Sequence, residues 1–407
     1  MRIQDSPPIH LTYCLNVHPG EAWRENLAAI QDKASAVRDR VAAAHPELAD
    51  RPFGLGLRLS ARAAEELSAG DKLDRLREEL ERRRMYAFTI NGFPFGQFHA
   101  AAVKENVYSP DWRSARRRDY TIRLADILAR LLPAGVTGSI STVPGSYRPW
   151  INTREDVCDM AHMLADVAAH LHRLREGSGA EIRLGLEPEP ECYVETTPQA
   201  IEFLAGPVAD IGGRRLAAAL GLGRDDAEQA LRRHVGVCLD AAHAAVEFED
   251  PAESLRTLNQ AGVTLAKVQL SSALSLRPEP AALRQLEDFR DPVYLHQVKV
   301  WSPPGEIVGY PDLGEALATA GGDLPQQKWR VHFHVPLFFE KLGALESTSS
   351  LLTGEFAAML RQGLGGEHLE IETYTWGILP PALRPTDVTE GIAREYDWVL
   401  ANMLSQK

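Results

Sequence analysis

Eight short β-rich runs, each followed by a longer stretch of helical period, constrain this chain more than any other feature. The runs are 9–17, 54–60, 86–91, 138–143, 182–187, 235–240, 265–270 and 369–375. Most are apolar on both faces, the pattern of parallel strands covered by helices. Between them, Leu27, Ile30, Ala34, Val37 and Val41 recur at three- and four-residue steps, as do Leu73, Leu76 and Leu80, so each set marks one face of a helix. Thr153 reads as an N-cap with Glu155 and Asp156 in the first turn, Thr197-Pro198 as a cap followed by proline, and Thr386-Asp387 as the start of a final helix. Eight such units predict an α/β fold, a closed (β/α)8 TIM barrel. The 407 residues are then one domain, 1–407, because barrels of this kind grow by insertion. Two more strand-like runs, 293–300 and 329–337, crowd the segment between the last two units. They predict an insertion over about 272–345 near the barrel mouth, of hairpin type, with a shifted strand count as the alternative.

Lys plus Arg number 44 against 56 Asp plus Glu, a formal charge of −12. Nucleic-acid affinity comes largely from neutralising phosphates, so no nucleic-acid partner is expected; the basic stretch 113–118 reads as a solvated face. Four cysteines lie far apart with no CxxC pair, which excludes a disulfide framework or zinc knuckle. No signal-peptide pattern opens the sequence, and no apolar run approaches the ~18 residues that span a bilayer. A cytoplasmic protein without membrane insertion is expected.

In a TIM barrel the chemistry sits at the C-terminal ends of the strands. The fifth run ends Gly185-Leu186-Glu187-Pro188-Glu189-Pro190-Glu191, with Glu187 on the parity of Gly185. The sixth ends at Asp240, with His243 on the following turn, and the last carries Glu370, Glu372, Tyr374 and Trp376 on one parity. A carboxylate inside a barrel is costly unless paired or on a metal; Glu372, nearer the strand end, is the better ligand, with an ion pair to Lys or Arg as its alternative. His332 and His334 alternate on one side of their run, and His296 lies in the other added run; hydrogen-bonded core histidines are the competing reading. Oxygen ligands with imidazoles suit one divalent metal ion, Mn, Zn, Mg, Co or Fe. Asn16, His18, Asn91, His99, His243, His296, His332 and Trp376 are candidate substrate contacts. A ring of polar and aromatic groups around three carboxylates suits a small polar, polyhydroxylated metabolite.

Glu187, Asp240-x-x-His243 and Glu372 resemble the metal site of the xylose-isomerase-like barrels, which include sugar isomerases, ketose epimerases and endonuclease IV. More narrowly, Thr12-Tyr13-Cys14 with Asn16 and His18-Pro19-Gly20-Glu21, Thr89-Ile90-Asn91-Gly92-Phe93-Pro94, Ser139-Ile140-Ser141-Thr142-Val143-Pro144 and Glu372-Thr373-Tyr374-Thr375-Trp376 resemble EboE, the sugar-isomerase-like member of the ebo "metabolite traffic" clusters. The resemblance implies a divalent metal held by Glu, Asp, His and Glu, with Glu187 and Glu372 catalytic, and other ebo-type pathway proteins as partners. The chain departs from that pattern on the seventh run, Lys267-Val268-Gln269, where the histidine is missing. Gln269 would ligate through its oxygen, or His334, His332 or His296 would take the place. The expected function is a metal-dependent isomerase or epimerase for a sugar or cyclitol-like compound, working by enediolate proton transfer in a secondary-metabolite pathway. The alternative is a non-catalytic metabolite-binding or traffic protein on the same barrel. An endonuclease is disfavoured by the acidic charge.

Overall fold

The computed structural model describes residues 1–98, 104–320 and 326–404. The strands are β1 (Arg2–Asp5), β2 (Pro8–Tyr13), β3 (Phe53–Arg58), β4 (Met85–Asn91), β5 (Gly138–Thr142), β6 (Ile182–Leu186), β7 (Val235–Asp240), β8 (Leu265–Leu270), β9 (Ser272–Leu276), β10 (Val298–Ser302), β11 (Glu306–Tyr310), β12 (Lys328–Val335), β13 (Lys341–Leu342), β14 (Leu345–Ser347) and β15 (His368–Ile371).

Two sheets account for all of them. The first runs β1-β2-β15-β8-β7-β6-β5-β4-β3. Eight of its strands pair in parallel, β1 pairs antiparallel with β2, and a parallel bridge from Cys14 to Gly56 closes β2 onto β3. This is the expected (β/α)8 barrel: β2 to β8 and β15 fall on the eight predicted runs. Gly56 is required at the closure, since an added Cβ would lie 2.0 Å from Glu370 Oε1 and 3.0 Å from Tyr13 O.

The helices begin where polar caps satisfy their first N–H groups. Thr153 accepts from Asp156 N–H and starts the Arg154–Ser178 helix with a full capping box. Thr196, one residue earlier than expected, caps Thr197–Phe203, and Asp387 caps Val388–Val399. Among the described residues, no helix is long and apolar enough to cross a membrane.

The second sheet, β11-β10-β12-β9-β14-β13, is antiparallel throughout. It occupies the predicted insertion but is a six-stranded sheet rather than a hairpin. It has its own apolar core, in which Leu274, Phe289, Val298, Trp329, Val331 and Phe333 are buried together. Strand alternation sends Val331, Phe333 and Val335 into that core and His332 and His334 the other way, toward the barrel mouth. Lys299 of β10 fastens the sheet to the barrel loops: its Nζ lies 3.0 Å from Glu191, 2.8 Å from Glu195 and 3.1 Å from Glu247.

Candidate functional site

The ends of β4, β6, β7 and β15 and the inner face of β12 enclose one cleft, of roughly 560 Å³ counted out to its open mouth. Asn16, Asn91, Glu187, Glu189, His243, His332, His334 and Glu372 line it, with Phe93, Phe98, Tyr108, Tyr294 and Tyr374 as aromatic walls. Lys104 also lines it, but its Nζ is occupied by Asp312 at 2.6 Å and by Tyr294 O at 2.9 Å.

Three carboxylates are held by the strand ends. Glu187 follows β6, and its N–H donates to Thr142 O at 3.0 Å, carrying the strand pairing one residue further. Asp240 closes β7; its Oδ1 accepts from His243 N–H at 2.9 Å and Ser271 Oγ at 2.7 Å. Glu372 follows β15 with its N–H on Leu270 O at 3.1 Å, and its Oε1 accepts from Asn16 Nδ2 at 2.7 Å and Asn91 Nδ2 at 3.0 Å. The remaining oxygens Glu187 Oε2, Asp240 Oδ2 and Glu372 Oε2 are buried with no hydrogen-bond partner among the described residues. An unsatisfied buried acceptor is costly. Burial first, then the Glu372 and Asp240 charges, hold the Glu187 carboxyl well above the usual range. Burial, Asp240 and Glu370 do the same to Glu372.

The histidines show one pattern three times. His243 Nδ1 bonds Pro188 O at 2.9 Å, His334 Nδ1 bonds Glu372 O at 2.7 Å, and His332 Nδ1 bonds Gln297 Oε1 at 2.7 Å. Gln297 is oriented by its Nε2, which donates to Pro190 O at 3.1 Å. A carbonyl oxygen only accepts, so each Nδ1 carries a proton, and Nε2 is the nitrogen left to meet a ligand. His332 Nε2 and His334 Nε2 face each other at 3.2 Å. Burial lowers His243 to about 4 and, with the neighbouring imidazoles, takes His332 well below its ordinary value. His243, His332 and His334 each place a ligand atom within 4.8 Å of the others, and Glu187, Asp240 and His243 do likewise. Orphaned carboxylate oxygens beside imidazoles whose Nδ1 atoms are already engaged are the donor set a divalent cation needs, so the residues fit one.

Other expected contacts fall elsewhere. His99 lies outside the described residues. His18 is buried against Tyr13, whose hydroxyl meets its Nε2 at 3.0 Å, outside the cleft. Gln269 Oε1 accepts the Cys238 thiol at 3.0 Å and does not reach the cleft. His296 Nδ1 bonds His332 O at 2.9 Å, beneath β12 rather than on its cleft side. Trp376 is in the core of the inserted sheet, packed on Gly391, where an added Cβ would sit 2.7 Å from its ring. The cause is local: β15 stops at Ile371, and the 3-10 turn Tyr374–Gly377 breaks the alternation, leaving Tyr374 as the aromatic in the cleft.

Glu189 was overlooked in the sequence. Its Oε1 accepts from Tyr108 at 2.8 Å, and Tyr108 in turn accepts from Gln297 Nε2 at 2.8 Å. Burial pushes its carboxyl up to about 8. Its signal was present, since it shares the parity of Glu187.

No protein-family model matches the sequence, and no curated protein matches it. Among solved structures, the chain is similar to the IOLI protein, solved with a bound zinc atom (13% identity, 97% of each chain covered, TM-score 0.48). It is also similar to 3-keto-D-glucoside 4-epimerase, YcjR, from E. coli (11% identity, 97% of this chain and 99% of that one, TM-score 0.44). A third likeness is to a xylose isomerase domain protein from Alicyclobacillus acidocaldarius (14% identity, 96% and 98%, TM-score 0.42). With each of these TM-scores below 0.5, the barrel assignment rests on the strand order itself.

Proposed function

We propose that this protein is a divalent-metal-dependent isomerase or epimerase acting on a small sugar or cyclitol-like metabolite by proton transfer next to a carbonyl. One observation carries the reading: Glu187 and Glu372 both line the cleft, each with a buried carboxylate oxygen that has no partner among the described residues, and they come from β6 and β15, two strands that are not neighbours. Glu187, Asp240 and His243, whose ligand atoms lie within 4.8 Å of one another, would hold the cation. When bound it supplies Lewis-acid polarisation of a carbonyl and stabilises enediolate charge. The protein's own groups do the rest. Glu187 and Glu372 would remove a proton on one side of the substrate and return it on the other. Asn16 and Asn91 fix the Glu372 carboxylate through Oε1 and leave Oε2 to act. Tyr294, Tyr374 and Phe98, mutually packed with ring centroids 5.2 to 5.4 Å apart, offer flat faces for the substrate ring and narrow the access of water. The EboE resemblance puts the reaction in an ebo-type secondary-metabolite pathway in the cytoplasm, with other proteins of that pathway as partners.

The test is exchange with deuterated water. The metal-supplemented protein, offered a panel of ketoses and keto-cyclitols, incorporates deuterium beside the carbonyl of its substrate, and Glu372→Gln does not. A compound that binds the cleft but never exchanges, in the presence of each of the five metals, would instead establish a binding protein.

A further inference from the structure

We propose that the cleft offers a cation two alternative seats that share His243: an imidazole seat on His243, His332 and His334 for zinc-like ions, and the carboxylate seat on Glu187, Asp240 and His243 for manganese- or magnesium-like ions. Filling one empties the other. The carboxylate seat belongs to the functional reading above; the imidazole seat stands on its own geometry. Three rings converge there, with centroids 4.5 Å apart for His243 and His332, 5.6 Å for His243 and His334, and 5.2 Å for His332 and His334. Their Nδ1 atoms are held by Pro188 O, Gln297 Oε1 and Glu372 O, the outer bond that orients a metal-binding imidazole. Each ring is left with its Nε2 to give. The spacing suits a small ion: imidazole nitrogens on a tetrahedral zinc with bonds of ~2.0–2.1 Å lie about 3.3 Å apart, and His332 and His334 present theirs at 3.2 Å. A proton shared across that contact is what the metal would displace. Three imidazoles leave a fourth position open, as catalytic zinc sites do.

His243 makes the two seats exclusive. Its Nδ1 bonds Pro188 O, so it has a single nitrogen for a metal. That Nε2 lies 4.0 Å from Asp240 Oδ1, while the same ring packs edge-on against His332. Among the described residues, the ligand atoms within 4.8 Å of one another form these two triads and no group of four. An ion drawn to the imidazoles therefore takes from the carboxylates their one nitrogen. The donors differ in kind. Imidazoles suit zinc, copper or nickel, whereas carboxylate oxygens suit manganese and magnesium. Glu187 Oε2 and Asp240 Oδ2, both buried with no partner among the described residues, supply the charge that the harder ions need. The two sets also come from different parts of the chain. The inserted sheet contributes His332 and His334, and the barrel contributes the acids and His243, so the imidazole seat exists only because the sheet covers the mouth.

The experiment is metal competition on the full chain, starting from metal-free protein. Co²⁺ stands in for zinc and is followed by its absorption; Mn²⁺ is followed by electron paramagnetic resonance. Wild type is expected to bind one equivalent of either. It should show the intense Co²⁺ bands of a nitrogen-rich site of low coordination number, and release its Mn²⁺ as one equivalent of Zn²⁺ is added. His332→Gln with His334→Gln should lose those bands and keep Mn²⁺, with Co²⁺ affinity falling by at least the ~10–100-fold that loss of an outer partner alone costs. Glu187→Gln with Asp240→Asn should lose Mn²⁺ and keep the bands; the asparagine retains the Oδ1 that accepts from His243 N–H and Ser271 Oγ. Thermal melting of the metal-free variants confirms that each is folded. Mn²⁺ that stays bound beside Zn²⁺ overturns the exclusion, and loss of both metals from both variants overturns the separate seats. The expected binding pattern in a protein that never exchanges deuterium overturns only the proton-transfer reading.

Discussion

Glu370 and Glu372 leave β15 on the same side, two residues apart, and meet opposite fates. Glu370 lies inside the barrel, fully buried, its Oε2 paired with the ammonium of Lys267 on the neighbouring β8. Burial works against that ammonium, but Glu370 and the surrounding acids raise its proton affinity overall, so it stays charged. Glu372, one step nearer the mouth, is equally enclosed and, like Glu370, leaves one oxygen without a hydrogen-bond partner among the described residues, but its other oxygen meets two amide N–H groups in place of a cation. The floor of the barrel supplies a cation to its acid; the mouth supplies only amides. A fold tolerates the second condition where something not in the chain completes it.

That contrast can be broken most directly at the mouth. Glu372→Gln keeps the Asn16 and Asn91 contacts in reach but removes a proton-transfer group. Turnover should fall by at least ~10²–10⁴-fold, read by deuterium exchange, with the urea unfolding midpoint of the metal-free protein unchanged or raised. A marked fall in stability would mean that the mouth is as internally compensated as the floor. The reciprocal substitution is Lys267→Met, which strands the buried Glu370 charge and should cost about 3–5 kcal/mol in urea unfolding. Glu187→Gln, removing a carboxylate that has no counter-ion at hydrogen-bond distance among the described residues, should cost far less in the metal-free protein. Equal losses from the two would erase the distinction.

A smaller effect sharpens it. Glu395 accepts from Thr373 Oγ1 at 2.7 Å and Leu337 N–H at 3.1 Å, behind the mouth, and burial raises its carboxyl to about 8. The folded protein then binds more protons than the unfolded chain between pH ~4.5 and 8, so this group makes stability decline as pH rises through that window, by at most ~1.4 kcal/mol per unit. Glu395→Gln should flatten the slope of unfolding free energy over that range. An unchanged slope would show that the carboxyl is ionised in the fold, as at the floor.

The barrel was legible in the sequence because buried parallel strands leave uninterrupted apolar runs, and all eight were found. Glu187, Asp240 and Glu372 were legible for a related reason: a carboxylate ending such a run has few places to go. His332 and His334 showed their shared side through simple alternation. What failed was phase beyond a strand end. Tyr374 and Trp376 share the parity of Glu372, but a 3-10 turn resets direction after Ile371 and sends Trp376 into the other core. Gln269 failed differently: its place in the strand register, level with Asp240, is that of a ligand, but the Cys238 thiol donates to its oxygen. The inserted sheet was underestimated because β13 and β14 are only two and three residues long and β11 is mostly exposed, so neither carries the apolar signature of a covered strand.

A single residue, Ser271, separates β8 from β9, and its hydroxyl donates to Asp240 while accepting from Ala242 N–H. The stave and the roof are thus welded at the point where an acid of the site is aimed, not joined by a hinge. The junction leaves no spare chain between stave and roof at that point. The same junction divides the site: the barrel carries the acids and His243, the inserted sheet carries His332 and His334, so exchanging the sheet at Ser271 would change the imidazole set while leaving the carboxylates where they stand.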